Sequence, residues 1–308
     1  MRTTLDCLPC FLKQTIHTAR LCNASPAVQQ KIMHEVILKF LPAIDFTISP
    51  PENAVHLYRL IAGISGQPDP FAAIKKESNR FASAIAHRIR QKVNEADNPL
   101  LAALTFSIAG NIIDYGALHQ FDMEQTIRDA LSLQMTINDF AELETDLQQA
   151  GRVLYLGDNS GELVFDKIAI EKLHRDVTFV VKEKAIINDA MLEDARECGL
   201  QDICRVITNG TGCPGTPLPH CSEEFQRLFH DADLIISKGQ GNFETLSEVK
   251  APIYFLLTVK CPAVNDHLCR LSGSPDRWPA QLPIPILLKS PNYTKNRKNF
   301  SSRSAADM

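Results

Sequence analysis

Beyond Gly151 the chain is punctuated by short apolar runs, and that pattern restricts its fold more than any other feature. Residues 153–156, 177–181, 203–207, 234–236 and 253–257 are each too short for a buried helix, and helical patterns such as Phe165, Ile168, Ala169 and Leu173 separate most of them. Short buried strands alternating with helices imply an α/β fold with a mostly parallel sheet covered on both faces. The earlier part reads as helix. Leu8, Leu12, Ile16 and Ala19 share one helical face, Phe81, Ile85, Ile89 and Val93 recur every four residues, and so do Leu100, Leu104, Ile108 and Ile112. Ser25-Pro26 and Asp69-Pro70 read as helix starts, while Pro50-Pro51 and Asn98-Pro99 break or open further helices. No strand is expected in roughly the first 145 residues. Residues 283–288 read as a last edge strand, with the prolines tolerated at the edge. The expected division is a helical region over 1–149, an α/β domain over 150–289 and a disordered tail over 290–308.

Composition narrows the classes of function. At 308 residues the chain can bury a large core, and its 44% apolar and 22% charged residues are those of a globular protein. A net charge of -4 argues against a nucleic-acid surface, and no apolar run is long enough to span a bilayer. The segment from Met1 to Cys7 lacks the apolar core of an export signal, and the nine cysteines are odd in number. Reduced thiols in a cytoplasm are expected.

The chemistry-bearing residues cluster where strands should end. Gly157-Asp158-Asn159-Ser160-Gly161-Glu162 follows the first run, at the carboxyl edge where open sheets bind ligands. Asp158 and Asn159 offer the hard oxygens that suit magnesium or manganese, and the following helix start offers N–H groups to an anion. Asn188-Asp189-Ala190 repeats the arrangement after the second run, so that Asp189 enters the same crevice if the two strands are neighbours. Both segments also read as ordinary turns and N-caps. Ser237-Lys238-Gly239-Gln240-Gly241-Asn242-Phe243-Glu244 lacks the third glycine of a dinucleotide loop and the ending of a nucleotide triphosphate loop. It reads as a close-approach loop for a small anion, with Asn242 and Lys238 as donors. Lys260, past the run at 253–257, is placed to neutralise phosphate. Cys7 and Cys10 form a Cys-x-x-Cys that opens a helix, with a second metal, a redox pair and plain packing as its readings.

Taken together, these motifs resemble the metal-dependent damage-control phosphatases, a family formerly grouped as domain of unknown function 89. The resemblance extends to about Pro262 and rests on Asp6, Cys7 and Cys10, on Ala109-Gly110-Asn111-Ile112-Ile113-Asp114, on the three loops above and on Lys260-Cys261-Pro262. The amino-terminal cysteine pair is typical of the stand-alone prokaryotic branch. The resemblance implies a helical region packed on a Rossmann-like three-layer domain. It implies a divalent metal (manganese, cobalt, nickel or magnesium) on Asp158, Asn159 and Asp189. It also implies that Lys260 and the Gly241-Asn242 loop hold the phosphate of a small metabolite, alongside Ser160, Gly161 and Glu162. The expected reaction is metal-assisted phosphomonoester hydrolysis with Asp158 and Lys260 as the catalytic residues. The nucleophile is Asp158 or an activated water, and the absence of an Asp-x-Asp pattern favours water. Leu257 stands where other branches carry the arginine of Arg-Thr-x-Lys, and the chain after about Asn265 departs from the family's final helix and strand. The rival readings are a methyltransferase using S-adenosylmethionine and a non-enzymatic metal- or redox-binding module centred on Cys7 and Cys10.

Overall fold

In the computed structural model, residues 1–113, 128, 130, 133–273 and 282–293 are described. The chain opens with helices α1 (Cys7–Leu21), α2 (Pro26–Glu35), α3 (Pro50–Ser65), α4 (Ala72–Glu95) and α5 (Pro99–Ile113). Then follow β1 (Ile137–Asn138), α6 (Phe140–Gln149), β2 (Arg152–Leu156), α7 (Leu163–Leu173), β3 (Asp176–Val181), α8 (Leu192–Glu197) and β4 (Arg205–Thr208). The chain continues through α9 (Glu223–Asp231), β5 (Leu234–Lys238), α10 (Gln240–Leu246), β6 (Ile253–Val259), α11 (Pro262–Ser272) and β7 (Ile284–Lys289). Among the described residues no helix is long and apolar enough to cross a membrane.

The strands form one sheet in the order β1-β7-β6-β5-β2-β3-β4, parallel except where β6 meets β7. Successive strand residues point to opposite faces, and both faces are buried. Val153, Tyr155, Phe179, Ile236 and Leu256 pack under α4, α5, α6 and α7, whereas Leu154, Leu156, Ile235, Phe255 and Leu257 pack under α9, α10 and α11. A separate apolar core joins α1, α2 and α3 through Phe11, Ile32, Phe40, Leu57 and Ile61. The cores therefore part between α3 and α4, and not at the expected boundary of 149/150, because α4, α5 and α6 are part of the sheet's cover. The order of strands reverses between β2 and β5, so the loops after these two strands face one crevice, the usual ligand position in an open sheet.

Several expectations change. A two-residue strand, β1, lies in the stretch expected to hold none, and its pairing with β7 makes β7 an internal strand. Its two residues carry no readable periodicity. Pro285 is tolerated there as an acceptor, its carbonyl taking the Thr136 N–H at 3.0 Å. The buried side of α1 is Cys7, Phe11, Thr15, Thr18 and Ala19, one residue round from the expected face, and Ile16 is 42% exposed. Thr15 fits that side because its hydroxyl donates to the Phe11 carbonyl at 2.8 Å. Helix α4 starts at Ala72, two residues beyond the expected proline, and Ile203 precedes β4 instead of joining it. A final helix and strand exist as α11 and β7 despite the departure after Asn265. Of the tail expected to be disordered, Ser290 donates to the Ile253 carbonyl and Asn292 to that of Ser247, at 2.8 and 2.7 Å. Residues 294–308, Asp114 and the side chains of Asn111, Ile112 and Ile113 lie outside the described residues.

Candidate metal and phosphate centre

The loops after β2 and β3 are stitched together by their backbones. Ser160 N–H donates to the Asn188 carbonyl at 2.9 Å, Ala190 N–H to that of Asp158 at 2.8 Å, and Asn159 and Asp189 form a bridge. This pairing brings Asp158, Asn159 and Asp189 to one crevice, as anticipated for neighbouring strands. The β5 loop closes the other side. Gly239 has φ +79°, and a Cβ there would stand 2.0 Å from Asp158 Oδ2, so only glycine permits this approach. Gly110 does the same for α5, where an added Cβ would lie 2.7 Å from the Phe165 ring and 3.3 Å from Glu162 Cγ.

The electrostatics at the crevice are strained. Burial, then the nearby charge of Asp189, pushes the Asp158 carboxyl up to about 7. Burial likewise lifts Asp189 to about 7, opposed chiefly by Lys182, whose Nζ is 3.6 Å away. Asp189 is 1% exposed, yet neither carboxylate oxygen has a hydrogen-bond donor among the described residues. An ionised carboxylate left this way is costly, and a hard cation is the partner that would satisfy it. Two carboxylates and the amide of Asn159 suit magnesium or manganese as an incomplete oxygen set. Among the described residues no group of three His, Cys, Asp or Glu side chains is arranged for a metal, so this set depends on the amide and on ligands from outside the chain.

The expected anion-holding residues divide. A cavity of about 430 Å³ is lined by Asp158, Asn159, Gly241, Lys260 and Glu244 on the sheet side, and by Cys7, Cys10, Phe11 and Tyr58 from α1 and α3. Lys260 therefore shares a cavity with Asp158. Lys238 does not: it is 1% exposed, and its ammonium is held by Glu162 at 2.6 Å, Asp166 at 2.9 Å and the Ser107 carbonyl at 3.0 Å. Glu162, expected at the phosphate, is instead a wholly buried carboxylate bound to Lys238 and to the Asn159 amide. Burial pushes it up to about 8 against the pull of Lys238. The Ser160 hydroxyl donates to the Asn188 carbonyl at 3.2 Å. The Asn242 amide donates to the carbonyls of Gly157 and Lys238 and accepts from Thr216 at 2.8 Å. Both side chains thus tie loops together, which their small size and paired donors and acceptors allow.

All nine cysteines are free thiols. Cys261 joins Cys7 and Cys10 around the cavity, but burial raises the Cys10 thiol and pushes Cys261 up to about 11, which keeps both protonated at neutral pH.

Comparison with known proteins agrees with this architecture. Residues 3–273 match the damage-control phosphatase ARMT1-like domain. The chain belongs to that family. Damage-control phosphatase PH1575 of Pyrococcus horikoshii is 35% identical over 284 residues, covering 87% of this chain and 94% of the relative. A damage-control phosphatase of Archaeoglobus fulgidus is 32% identical over 275 residues, covering 86% and 94%. The crystal structure of a DUF89 family protein from Pyrococcus horikoshii superposes with a TM-score of 0.83 at 31% identity, covering 94% of this chain and 99% of that one. Membership of the damage-control phosphatase family sets aside the methyltransferase reading. In this member, sequence reasoning missed three residues of the centre. Glu244 lines the cavity, with its carboxyl pushed up to about 7 by burial. Lys182 is buried and donates to the Gly215 carbonyl at 2.8 Å while facing Asp189. Asp166 anchors Lys238 from inside α7. Asp166 carried a signal as a charge among the apolar residues of a helical pattern, while Glu244 ended the stretch at 237–244 and Lys182 followed the second strand run without being given a role.

Proposed function

We propose that this chain is a divalent-metal-dependent phosphatase acting on a small phosphorylated metabolite, with Asp158, Asn159 and Asp189 as the metal-binding residues. The observation that carries the reading is the buried Asp189 carboxylate beside Asp158 and Asn159, which among the described residues has no hydrogen-bond donor and faces the Lys182 ammonium at 3.6 Å. A bound divalent cation would polarise a phosphoryl oxygen and offset the charge that develops there. Lys260 supplies a positive charge to the cavity that Gly241 also lines, where an added Cβ would stand 1.8 Å from the Pro214 carbonyl oxygen. Asn242 and Ser160 keep these loops at fixed separation, so the donors need little rearrangement during reaction. A cavity of about 430 Å³ suits a metabolite-sized ester, whose leaving group would meet the walls from α1 and α3.

The test is release of phosphate from p-nitrophenyl phosphate and a phosphometabolite panel by metal-stripped protein, with manganese, cobalt, nickel and magnesium added back. Activity restored by metal and absent in Asp158→Ala is the expected result. A folded protein that releases no phosphate with any metal overturns the reading.

A further inference from the structure

The geometry points to a positioning role for Glu162 and Lys238, which we propose hold the Asn159 amide so that its carbonyl oxygen, and not its nitrogen, is offered to the metal. This inference rests on the metal reading above. A primary amide has two N–H donors, and Asn159 Nδ2 spends them on Glu162 Oε1 at 2.7 Å and Asp158 Oδ2 at 3.1 Å. The carbonyl oxygen is thereby turned away from Glu162. Glu162 is itself fixed, because its other oxygen accepts from Lys238 at 2.6 Å. Lys238 in turn has one acceptor for each of its three N–H groups: Glu162, Asp166 and the Ser107 carbonyl. The Asp166 oxygen that meets Lys238 also accepts from Ser107 Oγ at 2.6 Å and Tyr155 OH at 2.8 Å. Glu162, Asp166 and Lys238 are at most 1% exposed. Burying such charges is expensive, and apolar side chains of similar volume commonly do as well for stability. The contact that leads from this network to the metal ligands is Glu162 to Asn159, and it sets which end of a symmetric-looking amide faces the crevice.

Replacing the Glu162 carboxylate by an amide makes the idea testable. Glu162→Gln can satisfy Lys238 or Asn159 with its one carbonyl oxygen, but the other contact then sets N–H against N–H. Asn159→Asp sets carboxylate against carboxylate. The double variant N159D/E162Q removes both conflicts, since the introduced amide would donate to the introduced carboxylate and still accept from Lys238. Manganese binding to metal-stripped protein, measured by titration calorimetry, is expected to weaken about 10–100-fold in each single variant. It is expected to recover at least about tenfold in the double, a coupling that a merely structural role would not produce. Wild-type affinity in folded Glu162→Gln, or losses that simply add in the double, overturns the proposal. Metal-free thermal unfolding checks the fold. Should Glu162→Gln not fold, Glu162→Asp keeps the charge for Lys238 but shortens the reach to Asn159, and unchanged manganese affinity there overturns the proposal equally. Asp158→Ala separates the two readings. Manganese binding that survives in it removes the metal site itself, whereas binding lost there but intact in Glu162→Gln removes only the positioning role.

Discussion

Asp166 and Asp189 are equally buried, at 0% and 1% exposure, and the protein treats them in opposite ways. One oxygen of Asp166 takes three donors, from Ser107, Tyr155 and Lys238. Both oxygens of Asp189 have no donor among the described residues, and the Lys182 ammonium facing them stands at 3.6 Å. Asp166 lies inside the sheet's helical cover and Asp189 at the crevice. The difference teaches that burial alone does not mark a functional carboxylate. What separates the two is whether the surrounding chain has already supplied donors.

The harshest way to break the comparison is to crowd the crevice. Gly239→Ala would place a Cβ 2.0 Å from Asp158 Oδ2 at a φ of +79°, and should reduce both manganese binding and phosphate release to background in calorimetry and turnover assays. Next come the aspartates themselves. Asp166→Ala takes a carboxylate from the buried Lys238 and should cost about 3–5 kcal/mol in urea unfolding. Asp189→Asn removes a charge whose one cationic neighbour, Lys182 at 3.6 Å, keeps the Gly215 carbonyl and the Asn242 oxygen as acceptors, so the metal-free protein should lose less stability than in Asp166→Ala while stabilisation by manganese is lost. If both variants destabilise the metal-free protein alike, the contrast falls. Lys260→Ala should lower kcat/KM about 10²-fold with manganese bound, yet leave stability within about 0.5 kcal/mol, because Lys260 is exposed.

The mildest effect is in pH. Asp158 and Asp189 rise from 3.8 to about 7 on folding, so between those values the folded protein binds protons that the unfolded chain has lost. Metal-free stability contributed by these groups is thus complete below about pH 4 and is lost as pH rises through about 7. Manganese needs the ionised forms, so its stabilisation should grow over the same window. Melting curves with and without manganese at about pH 5 and about pH 8 check this sign. A larger manganese shift at the lower pH would contradict it.

Much of this protein was written in local order. The runs at 153–156 in β2 and 234–236 in β5 are apolar at every position because the sheet is covered on both faces, so alternate residues are buried on either side. The polar loops after the strands follow from strand ends at a crevice, so Asp158 and Asn159 after β2, Asp189 after β3 and Lys260 after β6 were legible as candidates from spacing and residue type. The duties of Lys238, Glu162, Ser160 and Asn242 were not. Lys238 looked like a loop donor, but its partner Ser107 lies 131 residues away, on a helix that could equally have packed elsewhere. Strand β1 was hidden because two residues hold no period, and its place depends on β7 nearly the whole domain later. Sequence alone determined which residue types stand at strand ends, since periodicity and turn chemistry act over a few neighbours. Only the tertiary structure decided which of those polar groups would find partners inside the protein and which carboxylates would be left without them, because hydrogen bonds and charges act through space between segments that the chain order keeps apart.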